Sequence, residues 1–509
     1  MNEGKGLYFR ENPEILYEVK AQGGGLKDKE TLRCKGWRQE TILRMLEFNM
    51  ENAEIPELLV IYGGNGKCAR NWESYWAIVD SLKNLEDDET LVVQSGMPVA
   101  IFKTNKEAPV VVMATTNIMQ ATWERFYDLQ DKNLTIFAQY TAAPWEYIGT
   151  QGVIEGTFET LSAIAMKKFN DDLTGKIYLT AGAGGMGANQ TWAMKMHGGV
   201  CIVVDVNEKT MKKRIEKDYL DIIAPSLEEA IRIAKENAKV KKPISIGVVG
   251  NAADMYEKVL ASDFRPDICS EMCPCHDPIS YIPSGYTAEE ADKLRIENRE
   301  KYLQLARETM KRQLAAMVAL KADGVEVFEY GTSIRKECMD AGFPREEAMK
   351  IKGFVAEYIR PLFCEGRGPF RWTCLSRDPE DLKVSDHIAL EICKGDKLVE
   401  RWINLARKNL PIEGMPARIC YMGFGERKRF GLAINQAIKD GRIKGTVAFS
   451  RDNLDSGSIV NPTFESENMP DGGDYISDWP YLNALLDCAA GCDLIAIQQN
   501  YSMGEAVHT

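Results

Sequence analysis

The sequence predicts an α/β protein carrying a Rossmann-type domain, and two observations support that prediction. The first is the stretch 176–205, KIYLTAGAGGMGANQTWAMKMHGGVCIVVD. In it an apolar β-prone run (177–180) leads into three glycines spaced Gly182-x-Gly184-x-x-Gly187. An amphipathic segment follows, and then a second apolar run (200–204) ending on Asp205. The second observation is that strand and helix patterns keep alternating after Asp205, as they do in chains that wind helices around an open sheet.

Each part of the glycine stretch has a physical task. Gly182 permits a tight turn off the strand, Gly184 lets the backbone approach a pyrophosphate, and Gly187 allows close helix packing. The helix start offers unpaired N–H groups and a positive dipole end to phosphates. Asp205, 23 residues after Gly182, is placed to accept ribose hydroxyls and to disfavour an extra phosphate, which selects NAD over NADP. A lone glycine triplet equally suits a plain turn. Here strand, helix, second strand and terminal acid agree on a dinucleotide site.

The chain has 509 residues, enough for about three domains and a large core. With 45% hydrophobic and 27% charged residues it has the composition of an ordinary globular protein. A net charge of −12 and the lack of a long basic run argue against nucleic acid as a partner. No apolar run is long enough to span a bilayer and the N-terminus has no apolar signal core, so a cytoplasmic location with no membrane partner is expected. The 13 cysteines are scattered and odd in number, which suggests reduced thiols. Cys269, Cys273, Cys275 and His276 lie close together. Structural zinc, however, takes two separated ligand pairs, so the expectation is a loop beside the cofactor and no metal.

Taken in order, 41–50 reads as a helix with Leu43, Leu46 and Met50 on one face. A buried strand is expected at 58–62, stopped by Gly63-Gly64-Asn65-Gly66-Lys67. This turn fails the Walker pattern, since the first glycine of the required spacing is absent and Cys68 replaces the hydroxyl residue. It is either a plain turn or a turn that approaches a ligand. Strands are expected at 91–93, 99–102 and 110–113, and 139–156 is rich in turn and aromatic residues, a wall for a planar ligand. Beyond the glycine stretch come helices at 208–220 and 227–238, and a strand at 244–249 that opens through Gly250-Asn251-Ala252 into a helix. One long charged helix at 288–321 and a strand at 325–330 follow. The last third holds three polar, glycine-rich stretches, 358–372, 416–427 and 450–458. Their arginines suit a carboxylate, although for any single one a structural ion pair is the better reading. Cys420 closes an apolar run just before a glycine turn, where a buried inert thiol is the commoner fate.

Several of these stretches together resemble one family. TAGAGGMG, YGGNGKCARNW (62–72), LVVQSGMPVAIFKT (91–104), YIGTQGVIEGTFET (147–160), SIGVVGNAA (245–253), YIRPLFC, PARIC and DSGS are similar to urocanase, the urocanate hydratase family of histidine breakdown, over nearly the whole chain. The resemblance implies a homodimer in which a Rossmann-type NAD domain (139–357) is inserted into a discontinuous α/β core domain (1–138 and 358–509). It implies a chemistry in which NAD is an electrophile and is not consumed: the imidazole ring of an acrylate substrate is the electron source, the cofactor is the sink, and water adds. It implies NAD contacts at Gly63, Gly64, Gln139, Gly182, Gly184, Gly185, Met186, Gly187, Asp205, Asn251, Ala252, His276, Tyr281, Ile282 and Tyr330. The family's active-site cysteine falls on Cys420. Arg360 is implied for the substrate carboxylate, Tyr62 for hydrogen bonding or proton transfer, and Asp452 or Asp455 for handling water.

The departures from the family pattern cluster in the substrate surround. Asn105 stands after Thr104 where the family has histidine, and a proline-histidine-tryptophan segment is shortened near Met119-Gln120. Met272-Cys273-Pro274-Cys275 replaces glutamine-threonine-serine-alanine ahead of His276-Asp277-Pro278. Thr332-Ser333 replaces paired asparagines, Thr210 replaces an arginine, and Gln498-Gln499-Asn500-Tyr501 replaces a histidine-glycine-rich loop. A kept cofactor turn beside altered pocket motifs predicts a hydratase for a ring-modified urocanate, carrying a thio, S-methyl or N-methyl group. Ordinary urocanate hydration is one alternative and a NAD-dependent dehydrogenase another.

Overall fold

The computed structural model describes residues 18–451, 453–455, 457–499 and 507–508. The chain divides into two compact units. One comprises Val153–Arg360 with Thr463–Asn468, and the other comprises Arg10–Gly152, Pro361–Pro462 and Met469–Thr509.

The first unit is built on a seven-stranded sheet, parallel throughout. Its order is Lys352–Gly353, Glu326–Glu329, Ile268–Cys269, Ile177–Ala181, Val200–Asp205, Ile244–Val249 and Ile222–Ala224. The strands at its centre are apolar on both faces, as a sheet covered by helices requires: Ile177–Ala181 is buried at every position, and Val200–Asp205 at all but the last. From Ile177–Ala181 the chain winds outward through Val200–Asp205, then returns to pair Ile268–Cys269 on the other side. The carboxyl end of Ile177–Ala181 is therefore a topological switch point, where open α/β sheets collect ligands.

One expectation for this unit changes. The long helix at 288–321 is two helices, Ala288–Glu297 and Arg299–Ala322, separated by Asn298 at φ −150°. The Asn298 side chain accepts from the Lys301 N–H and starts the second helix anew, a capping role that its charge-rich context masked. For all its charge, the second helix buries Tyr302, Met310, Leu314, Met317 and Leu320.

Segment 463–468 is pinned into this unit. The buried Arg335 guanidinium pairs with Glu329 and, at 2.6 Å, with Glu467, and its Nη2 donates to the Thr463 carbonyl at 2.6 Å. Phe464 nests where side chains on Gly331 and Gly353 would collide with it.

The second unit holds a mixed six-stranded sheet, ordered Ile459–Val460, Val507–His508, Leu494–Gln499, Val111–Thr115, Glu89–Gln94 and Met97–Lys103. It also holds an antiparallel three-stranded sheet of Ala417–Gly423, Arg367–Cys374 and Val447–Arg451, with Arg367–Cys374 in the middle. Its first long helix runs Trp37–Glu51, beyond both ends of the expected segment. It buries polar residues as well as apolar ones. Arg44 pairs with Glu40 at 2.8 Å and donates to the carbonyls of Leu375, Gly24 and Thr31, so this helix is tied by a polar network as well as by an apolar stripe. The strand expected at 58–62 begins only at Val60, because Pro56–Leu58 is a 3-10 turn closed by Leu59 at φ 60°.

The stretch 139–156 is only partly a loop: a helix, Gln151–Lys168, takes over its last six residues. Residues 139–152 belong to the second unit, where the Trp145 indole donates to the Cys68 carbonyl at 2.8 Å. No helix among the described residues is long and apolar enough to cross a membrane.

Removing the Arg335 cation strands two buried carboxylates. Arg335→Met is expected to destabilise the first unit by about 3–5 kcal/mol, read as a lower onset of thermal unfolding. An unchanged onset would show that the ion pairs carry no stability.

Candidate functional site

In the first unit the glycine turn has the expected economy. Gly182 sits at φ +87°, and a Cβ there would lie 2.3 Å from the Met272 carbonyl oxygen. Gly187 precedes the helix Ala188–Met196, and a Cβ on it would stand 2.0 Å from the Gly182 carbonyl oxygen. The close approach Gly187 permits is therefore to the turn itself. A Cβ on Gly184 would meet nothing within 4 Å. The turn is thus tight at its two ends and open in its middle, the shape a pyrophosphate requires of backbone N–H groups. Gly185 and Met186 complete it.

Asp205 occupies the end of its strand, as expected, and it also builds the turn. One carboxylate oxygen accepts from the Ala183 N–H at 2.6 Å and the other from the Asn207 N–H at 2.8 Å. Burial raises its pKa, opposed by those backbone donors and by Arg214. Arg214 was missed in the sequence. It lies one helical turn beyond Thr210, the position where the family pattern has an arginine, and its Nε donates to the Ala183 carbonyl at 2.9 Å.

Across the switch point, the loop after Ile268–Cys269 leans on the same turn. The Met272 N–H donates to the Ala181 carbonyl at 2.6 Å. The Tyr281 hydroxyl donates to Gln313 at 2.7 Å, whose amide reaches the Cys273 thiol at 3.7 Å. Asn251 caps the helix Ala252–Ala261 and donates to the Ile282 carbonyl at 3.0 Å. Tyr330 is bonded to the Thr157 hydroxyl at 2.7 Å and stacks on Phe354 at 4.5 Å. Burial lowers the His276 pKa and keeps its ring neutral. Residues scattered over 182–330 thus converge on the carboxyl edge of one sheet. Cys269, Cys273 and Cys275 are buried thiols, and among the described residues no group of acids, histidines and cysteines could hold a metal ion.

Arg360 follows a five-residue π-helical turn, Val355–Ile359. Its Nη2 donates to the carbonyls of Glu465 (2.9 Å) and Glu467 (2.8 Å). Through this nitrogen Arg360 anchors the returning segment.

In the second unit, Gly63 and Gly66 pack against Gln139, while a Cβ on Gly64 would meet nothing within 4 Å. Gly63 and Gly64 have φ +68° and +77°, and a Cβ on Gly63 would stand 2.2 Å from the Gln139 amide nitrogen. Gln139 and Tyr140 are consecutive left-handed residues (φ 46° and 45°), a costly backbone of the kind that collects at functional sites. Tyr62 stacks on Tyr147 at 4.8 Å, and its hydroxyl accepts from the Thr141 N–H at 3.2 Å.

Cys420 is fully buried on Ala417–Gly423, opposite Phe370. Asp455 is buried and pairs with Arg427 at 2.9 Å; its carboxylate lies where a Cβ on Gly368 would be, 1.9 Å away. Arg418 is a structural ion pair, forked onto Asp386 at 2.9 and 2.7 Å. Arg371, in a stretch noted for its arginines but not singled out, is buried and donates to the Glu146 carbonyl at 3.0 Å. Asp452 lies outside the described residues, as do Asn500 and Tyr501.

Three family models match the chain in succession: the urocanase N-terminal domain over residues 26–146, the urocanase Rossmann-like domain over 149–358, and the urocanase C-terminal domain over 361–509. Among solved structures, the chain is similar to L-tryptophan dehydrogenase from Nostoc punctiforme at 12% identity and a TM-score of 0.19, over 59% of this chain and 69% of that one. It is similar to Mycobacterium tuberculosis shikimate dehydrogenase at 11% identity and a TM-score of 0.19, over 42% and 74%. At those TM-scores neither bears on function.

The 2.0 Å approach at Gly187 leaves no room for any side chain. Gly187→Ala is expected to distort the turn and to leave the purified protein with less than about a tenth of the wild-type NAD content, measured by absorbance of nucleotide released on denaturation. Equal content would remove this turn from the dinucleotide site.

Proposed function

The chain belongs to the urocanase family, a family of hydro-lyases, and from that membership we propose that it is a NAD-dependent hydratase of a ring-modified urocanate. Urocanate hydratase-type activity on a small imidazole acrylate follows from the family. The cofactor, the substituent on the ring and the residue roles are the proposal.

NAD fits the first unit by the chemistry of the donor set: an open-centred glycine turn, a helix start behind it, and an acid at the end of the neighbouring strand. Gly184, Gly185 and Met186 would face its pyrophosphate, and Asp205 its ribose. When bound, the nicotinamide supplies an electron sink for the substrate ring. Cys420, Tyr62 and Asp455 are the proposed reacting groups of the second unit. Arg427 holds Asp455 in place, and a fixed carboxylate can orient water and take its proton.

The observation that carries the modified-substrate reading is that two separate departures from the family pattern meet. Thr332, in place of an asparagine, donates to Glu271, the residue preceding Met272-Cys273-Pro274-Cys275. Cys275 is fully buried and Cys273 nearly so, so these thiols act by reshaping the loop beside the glycine turn, and only Met272 and Pro274 are more open. A remodelled loop beside a glycine turn that keeps its spacing changes which ring is accepted and leaves the reaction type alone. The same reading places the protein in the cytoplasm as a homodimer. The exposed Trp479, Leu482, Leu485 and Leu486 of Asp478–Ala489 offer apolar surface for a second copy.

With both substrates in one tube, kcat/KM is expected to be higher for a sulfur- or methyl-substituted urocanate than for urocanate, with no net NADH. Loss of conjugated ultraviolet absorption reads the rates. Preference for plain urocanate would leave the ordinary hydratase standing, and NADH appearing with substrate would favour a dehydrogenase.

Cys420→Ala and Asp455→Asn are each expected to lower kcat by about a hundredfold or more with the fold intact. Arg360→Met separates the two tasks considered for that residue. A raised KM at unchanged thermal stability is the signature of carboxylate binding, whereas lost stability is that of an anchor.

A further inference from the structure

Glu271 lies on the loop that faces the glycine turn, its side chain fully buried. One of its oxygens meets the Thr332 hydroxyl. The other accepts from the Cys273 N–H at 3.0 Å and lies 3.9 Å from the Cys275 thiol. Next to it in sequence, Met272 bonds the strand end at Ala181 and sets its carbonyl oxygen against Gly182. One side chain therefore joins the segment after Tyr330 to the loop at Cys273, whose backbone nitrogen lies 3.1 Å from where a Cβ on Gly182 would stand.

We infer that Glu271 is a positioning residue for the dinucleotide, holding the loop against the glycine turn. The inference rests on the NAD reading above.

The surroundings favour the uncharged acid. Cys269 of the neighbouring strand, Cys273 and Cys275 of the loop, Cys338 of Ile334–Asp340, Tyr256 of Ala252–Ala261, and Tyr281 all face it. Burial raises every one of their pKa values, so they stay neutral. Two charged groups also act on it, Glu329, which repels a second negative charge, and Arg335, whose cation is committed to Glu329 and Glu467. Burial, and after it Glu329, push the Glu271 pKa up to about 8, against the Thr332 hydroxyl, the Cys273 N–H and Arg335, which favour the ionised form. The Thr332 hydroxyl donates to the ionised carboxylate, and when the acid is uncharged it can turn from donor to acceptor.

The pH dependence has a definite sign. In a loosened, solvated loop the acid returns toward its ordinary 4.5, and in the closed loop it titrates near 8. Closure therefore binds a proton, is fully supported below the lower value, and weakens as pH rises through the higher one.

The test uses the full-length protein loaded with NAD at about pH 6 and desalted at steps up to about pH 9, with retained nucleotide measured after denaturation. Wild type is expected to shed at least about tenfold of its NAD across that range, and Glu271→Gln, an uncharged mimic, to keep it. Glu271→Ala should retain about tenfold less than wild type even at about pH 6, because it leaves the Cys273 N–H and Thr332 without their acceptor. Should the alanine variant fail to fold, the glutamine comparison decides alone. Parallel release from wild type and Glu271→Gln, or wild-type retention by a folded Glu271→Ala, would overturn the inference while leaving NAD binding intact. Wild type that holds no NAD at any pH overturns both readings.

Discussion

The first unit depends on one buried cation. Arg335 is fully enclosed and meets the carboxylates of Glu329 and Glu467, the Ile351 carbonyl and the Thr463 carbonyl. These groups come from the strand next to the sheet edge, the connection to the edge strand, and a segment more than a hundred residues later. A buried guanidinium is costly unless each fork finds an acceptor, and two buried acids are costly unless a cation answers them. The discontinuous chain path is therefore enforced electrostatically: without 463–468 in place, Arg335 lacks one counter-charge. The aromatic stack Phe464, Phe354 and Tyr330 rides on the same arrangement. A residue expected at the cofactor is thus fixed from behind by the returning segment.

From that frame the switch point takes its shape. Glu329 ends the strand that pairs Ile268–Cys269, and the loop leaving Ile268–Cys269 is the one that packs against Gly182. Committing Arg335 to Glu329 and Glu467 leaves Glu271 in an environment of thiols, phenols and a hydroxyl. There a neutral carboxyl can be satisfied by hydrogen bonds, whereas an ionised one would lack a counter-charge of its own.

The parts legible in the sequence were those governed by local physics. The glycine spacing, the apolar runs 177–180 and 200–204, and the acid at 205 each obey rules that reach only a few residues, and the strand at 244–249 was read to its ends. What escaped the sequence reading depends on partners distant in the chain. The acceptors of Arg360, the carbonyls of Glu465 and Glu467, lie more than a hundred residues away, so its anchoring of that segment has no local signal. Arg44 and Glu40 blurred the apolar stripe of Trp37–Glu51, because that helix is tied by charge to Gly24, Thr31 and Leu375. Asn298 was overlooked because a cap in mid-pattern differs from a polar helical residue only in its own φ. The convergence of Gly63 with Gln139 likewise needed the left-handed pair Gln139-Tyr140, which no propensity favours.

The departures from the family pattern acquire a common meaning once they are seen in space. Met272 to Cys275 and Thr332 are 57 or more residues apart in the chain and share one buried acid. Substituting either segment alone would leave Glu271 without a partner it now uses, and a buried acid tolerates such a loss poorly. The two segments are therefore coupled physically, and a change in one constrains the other. The glycine turn is bound by a different constraint, the 2.0 Å approach of Gly187 to the Gly182 carbonyl, which no side chain can relax. A turn that no side chain can relax thus lies beside a loop whose two segments are coupled through one buried acid, so change is confined to the loop and must come in concert.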